Sequence, residues 1–161
     1  MKKWLVTLLL GSTLASTAWA DLAQNKQEFN AKSQQFVSAL NQSVAKMDKN
    51  LKALNASEQK IQGYLGQQPT AQEKQCLNAM LTRASGTKKL VTVMRQQLVS
   101  VQKQIPVLQK SAMAAQSAAQ LNQAADKANA LVQGLNATGE KNSQMAEQWT
   151  AKVEQACAGM E

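Results

Sequence analysis

Ten positions between Leu77 and Leu108 keep one rhythm of alternating three- and four-residue steps: Leu77, Met80, Ala84, Thr87, Val91, Met94, Leu98, Val101, Ile105 and Leu108, with Thr87 the one polar member. A helix turns once in about 3.6 residues, so these side chains form a single stripe. A stripe that long has to be buried against other helices, as in a bundle or coiled coil. An earlier seam runs Val37, Leu40, Val44, Met47, Leu51, Leu54, Glu58, Ile61 and Leu65, with only Glu58 out of character. Phe29 and Phe36 lie beside that seam, and the more polar start of this segment is expected to fray. A third seam runs Ala118, Leu121, Ala125, Ala128, Val132 and Leu135, and Met145, Trp149, Val153, Cys157 and Met160 mark a last one. Gln, Ala, Lys, Leu and Asn dominate after the first twenty residues, and aromatics make up only 4% of the chain. That composition favours helix and disfavours strand.

Punctuation along the chain sets the helix boundaries. The stretch GQQPT stops the first helix. Thr70 and Glu73 then stand in the S/T-x-x-E spacing, in which each side chain satisfies a free backbone donor at a helix start. Gly86 falls inside the long seam without disturbing its phase, a local weakness of roughly 1 kcal/mol rather than a boundary. The next reversal is expected between Pro106, which kinks or opens a helix, and Ala115 to Ala118, where the apolar phase slips. Gly134 followed by Leu135 reads as a helix-ending glycine with its apolar contact, and NATG supplies a further loop. The expected fold is therefore all-α: an elongated antiparallel bundle of three to four helices, built of coiled-coil-like hairpins.

The chain opens MKKWLVTLLLGSTLASTAWA, two lysines before a short apolar run that ends in an A-x-A signal. Residues 1–20 read as an export signal cleaved after Ala20, and residues 21–161 as a single domain. The run is shorter than the roughly 20 residues that span a bilayer. Asp21 follows the cleavage site and no cysteine stands there to carry a lipid anchor. The expected location is the periplasm, or beyond it. The first twenty residues hold two of the 18 basic residues and none of the 10 acidic ones, which leaves 16 minus 10, or +6, on the remainder.

Export to an oxidising compartment makes a Cys76–Cys157 disulfide the default, with two separate buried thiols as the alternative. The two lie far apart in sequence and lack C-x-x-C spacing, which argues against a redox-active pair. A bridge needs Cα atoms within about 7 Å. Down-and-up packing of the helices would return Cys157 to Cys76.

No Asp or Glu occurs between Glu73 and Asp126, while Arg83, Lys88, Lys89, Arg95, Lys103 and Lys110 fall inside that interval. These six are the candidate binding residues. Lys88 and Arg95 flank the seam at one heptad position, and Lys89, Lys103 and Lys110 share the outward one. One account makes them solubilising groups whose stems cover apolar surface; the other makes them an electropositive face that gathers an acidic protein, a lipopolysaccharide or another polyanion. Residues 126–161 carry five acidic and three basic side chains, so the last helix is expected to cancel some of the field. The first helix, itself basic, is not.

Residues 88–106 contain no aromatic anchor, which argues against membrane insertion or surface binding, and the lack of interleaved aromatics argues against nucleic acid. The absence of histidine removes the commonest general base and transition-metal ligand. No glycine-rich phosphate loop or nucleophile elbow appears. The chain is therefore expected to be no enzyme, with no catalytic residue, metal or cofactor. Glu58 reads as a register-setting residue, a partner-facing one or half of an ion pair. Trp149 reads as core, or else as an interface anchor. The functional expectation is a non-enzymatic periplasmic protein that binds another macromolecule through its basic helical face, in the manner of a chaperone or adaptor. An inhibitor or immunity protein against an envelope-acting toxin or hydrolase is one alternative. A structural coiled-coil spacer or assembly subunit is the other, and a homo-oligomer is compatible with any of them.

Overall fold

The computed structural model describes residues 19–159. The leader assigned to residues 1–20 lies outside them, apart from its last two positions, which open the first helix. Three helices follow in order: α1 (Trp19–Leu65), α2 (Ala71–Ala114) and α3 (Ala118–Ala156). They form an all-α bundle in which consecutive helices are antiparallel.

The joints are built by local hydrogen bonding. At the first, Gln68 takes a φ of +57°, a left-handed conformation that few non-glycine residues adopt, and Pro69 follows. Glu73 then caps α2 as its spacing implied. The Thr70 backbone N–H and hydroxyl both donate to Glu73 Oε2, at 2.7 and 2.8 Å, and the Glu73 N–H donates back to Thr70 Oγ1 at 3.3 Å. Those bonds hold the Glu73 carboxyl below its ordinary pKa, the backbone donor contributing most.

The second joint falls at Ala115–Ser117, at the late end of the expected interval. Pro106 stays inside α2. The turns beyond it are held by packing: Ala112 and Ala115 are buried, and Gln109 Nε2 donates to Asn30 Oδ1 at 3.3 Å. A cap starts α3 instead, with the Gln120 N–H donating to Ser117 Oγ at 3.4 Å and the Gln116 N–H to Gln120 Oε1 at 2.6 Å. This S-x-x-Q signal was present in the sequence and outranks the proline as a boundary.

The expected break at Gly134 and NATG does not form, and α3 runs through both. A helix-ending glycine adopts positive φ. Among the described glycines only Gly159 does, at +83°, beyond the end of α3. Leu135, Gly139, Asn142, Met145 and Trp149 also keep a heptad-like step, so nothing forces the chain out of helix. Among the described residues the bundle has three helices.

The chain divides into two compact units, each drawing on all three helices. One comprises the chain up to Val44 with Gln96–Ala137. Its core holds Phe29, Phe36 and Leu40 from α1, Leu98, Val101 and Ile105 from α2, and Leu121, Ala128 and Val132 from α3. The start of α1, expected to fray, is thus among the best buried stretches. Phe29, Ser33, Phe36 and Leu40 form its seam, which is offset from the rhythm counted from Val37.

The other unit comprises Ala45–Arg95 and Thr138–Glu161. Of the described residues there, Ile61, Cys76 and Ala84 are the fully buried apolar ones; Met47, Leu51, Leu54, Val91 and Val153 are half-buried. A disulfide joins Cys76 to Cys157, with Cα atoms 4.7 Å apart. Closing a loop of sequence separation 81 removes about 4.5 kcal/mol of unfolded-chain entropy on the simple model.

Candidate functional site

The six basic residues singled out on α2 fall into two groups. Lys88 and Arg95 are paired, part-exposed, with carboxylates of a neighbouring helix. Lys88 Nζ donates to Glu58 Oε2 at 2.8 Å. Arg95 grips Asp48 with two bonds, Nε to Oδ1 at 2.5 Å and Nη2 to Oδ2 at 3.3 Å. The hydrogen bond from Arg95 holds the Asp48 carboxyl below its ordinary pKa, and Asp48 in turn raises that of the guanidinium.

Both carboxylates come from α1, the helix whose net charge seemed to disqualify it. What matters is where the carboxylates sit: Asp48 and Glu58 stand opposite Arg95 and Lys88 on an antiparallel neighbour. Glu58, the anomaly of the first seam, is half of an ion pair.

The pairing extends a pattern readable as spacing. Positions 88, 95, 102 and 109 recur every seven residues and all carry long polar side chains. In the unit that holds the disulfide, the first two make the ion pairs to α1. In the other, Gln102 Nε2 donates to Asn41 Oδ1 and Gln109 Nε2 to Asn30. This is the position beside a coiled-coil seam that chooses partner and register. Gln102 and Gln109 were missed because only charge had been followed along the helix.

The second group faces outward. Lys89, Lys103 and Lys110 are exposed, and none of them takes part in an ion pair among the described residues. Arg83 is half-buried and also outside those pairs. Apolar side chains interrupt this outward stripe. Val93 is 48% exposed one turn beyond Lys89, and Val107 is 62% exposed between Lys103 and Lys110. Neither valine belongs to a seam.

Trp149 occupies a place that depends on Gly86. A Cβ added at Gly86 would stand 2.5, 2.6 and 2.8 Å from three carbons of the indole. The glycine inside the long seam is the flat seat on which the half-buried ring lies. Beside the ring is an open hollow of about 480 Å³ in the disulfide-closed unit, walled by Leu81, Leu90, Met145 and Trp149.

Among the described residues no group of three Cys, Asp or Glu side chains is placed to hold a metal ion, and no helix is long and apolar enough to cross a membrane. Comparison with protein-family profiles, curated proteins and solved structures gives no match for this chain.

Proposed function

We propose that this chain is a non-enzymatic binding protein of the bacterial periplasm that engages acidic protein segments through the outward face of α2, as a chaperone or adaptor does. One observation carries the reading. Where the bundle needed cations it recruited carboxylates for them, yet Lys89, Lys103 and Lys110 stand exposed outside those ion pairs, on a helix that has no acid between Glu73 and Asp126. Exposed lysines are common and cost little, but the field of a helix segment with no acid of its own raises the local concentration of an anionic partner. Val93 and Val107 add apolar contact at the same face. Cations that steer and apolar groups that are desolvated on contact divide the work of association in this way.

The test is charge reversal at two matched places. Lys103→Glu with Lys110→Glu should abolish suppression of aggregation of unfolded acidic client proteins. Lys49→Glu with Lys60→Glu makes the same change of net charge on exposed positions of α1 and should leave the suppression intact. Added salt should weaken it, as screening does for exposed charges. Equal loss in both pairs would reduce the effect to net charge, and no loss in either would leave the outward lysines as solvated surface. Capture of one tight partner, with no effect on general clients, would turn the reading to a dedicated inhibitor.

A further inference from the structure

We infer that the hollow beside Trp149 is a seat for one large apolar side chain of an acidic partner segment, with Lys89 meeting a carboxylate next to that side chain. The inference rests on the reading of the outward face as a surface for acidic protein and names where specificity within it lies.

The hollow is built from both helices of a hairpin. Leu81 and Leu90 come from α2, Met145 and Trp149 from α3. Its volume of about 480 Å³ falls in the range of sites that bind small organic groups, roughly 300–1,000 Å³. The indole is held in place by the absent side chain of Gly86, so the aromatic wall is positioned before any partner arrives. Methionine beside it supplies an adaptable surface. The Thr82 hydroxyl, also lining the hollow, already donates to Asn78 O at 2.9 Å, within α2. Ser85 adds one further hydroxyl, but leucine, methionine and indole dominate the lining, which suits an apolar group.

The rim decides the charge of the occupant. Lys89 is the charged side chain lining the hollow; it is exposed and takes no part in the ion pairs, whereas its neighbour Lys88 is tied to Glu58. A carboxylate beside the apolar group would meet that ammonium at the rim, whereas a basic occupant would be repelled. A large apolar residue next to Asp or Glu satisfies both parts of the site. A buried aromatic or aliphatic anchor ringed by a polar contact is the arrangement in which interface energy concentrates.

The hollow can be watched directly. The chain has three tryptophans, at 4, 19 and 149, so the chain cleaved after Ala20 reports on Trp149 alone, as does the uncleaved chain with Trp4→Phe and Trp19→Phe. The probe is a synthetic helical peptide with glutamates on either side of one phenylalanine. It should shift the Trp149 emission to shorter wavelength on titration. Replacing its phenylalanine by serine should weaken binding about tenfold or more, the scale of burying one large apolar side chain. Ser85→Phe, which fills the hollow, and Lys89→Glu should each do the same, with helix content and the disulfide intact.

If the serine peptide binds as well as the phenylalanine peptide, or if neither Ser85→Phe nor Lys89→Glu weakens binding, the seat is overturned. A peptide with lysines in place of glutamates that binds equally would also overturn it, as would phosphatidylglycerol vesicles that move the emission when the peptide does not. Acidic peptides whose binding depends on Lys103 and Lys110 while Trp149 stays silent would remove the seat and leave the outward face standing. Acidic peptides that bind nowhere would remove both.

Discussion

Substituting Gly86 by alanine should destabilise this protein, although elsewhere in a helix interior the same change stabilises. Glycine in mid-helix is about 0.8–1 kcal/mol less favourable than alanine, so an open site would gain that amount. Here the new Cβ would stand 2.5 to 2.8 Å from three indole carbons of Trp149, closer than any real contact. The ring has to move, and overpacking of this kind costs about 1–3 kcal/mol. Set against the gain in propensity, Gly86→Ala should lose about 1 kcal/mol in the native background. In a Trp149→Ala background the clash is gone and the substitution should gain about 1 kcal/mol. The double-mutant cycle therefore predicts a coupling of about 2 kcal/mol. Urea unfolding followed by circular dichroism measures all four corners, with equal slopes as the check on two-state behaviour. Stabilisation by Gly86→Ala of the same size with and without Trp149 would refute the assignment of the glycine as the seat of the ring.

Reducing the disulfide, or replacing Cys76 and Cys157 by serine, should cost about 4.5 kcal/mol in chemical unfolding; a loss below about 1 kcal/mol would show that the open chain retains the closure. Phe36 is 2% exposed, and Phe36→Ala should lose about 3–5 kcal/mol, while Val107→Ser, at an exposed position, should stay within about 0.5 kcal/mol in the same assay. Asp48 has its pKa lowered in the fold by the Arg95 hydrogen bond, so its contribution to stability is complete above the unfolded carboxylate value of about 3.9 and is lost as pH falls through the lower folded value. The urea midpoint should therefore drop on acidification below about pH 4, by less in Asp48→Asn than in the native chain. Glu73 keeps its own share of the same sign in both.

The helices were legible because their signal is periodic and repeated over many turns. The capping pair Thr70 and Glu73 and the cysteine bridge were legible because each depends on two named residues and a known compartment chemistry. Boundaries failed where a residue's permission was read as its instruction. Gly134 permits a helix end and Pro106 discourages helix, yet packing of Ala112 and Ala115 past the proline and the unbroken step from Leu135 to Trp149 carried both helices on. The start of α1 looked polar because its seam is offset; counted from Phe29 it passes through Ser33, which is wholly buried.

That two of the six candidate residues, Lys88 and Arg95, pair with carboxylates of α1 was missed for a related reason. Charge was summed by helix, and a sum does not say which carboxylate stands opposite which cation. The recurrence of Lys88, Arg95, Gln102 and Gln109 at one heptad position held that information. The hollow beside Trp149 was not visible at all, since it joins residues of two helices some sixty positions apart.

Aromatic burial around Phe29 and Phe36 and the covalent clamp from Cys76 to Cys157 stabilise the chain by different thermodynamic routes. Hydrophobic burial carries a large heat capacity, so what it contributes weakens on cooling. Restriction of the denatured chain by a cross-link carries little, and in the chain-entropy picture its contribution simply scales with absolute temperature. The chain thus combines a stabilisation that bends with temperature and one that rises almost straight with it, within a single run of three helices.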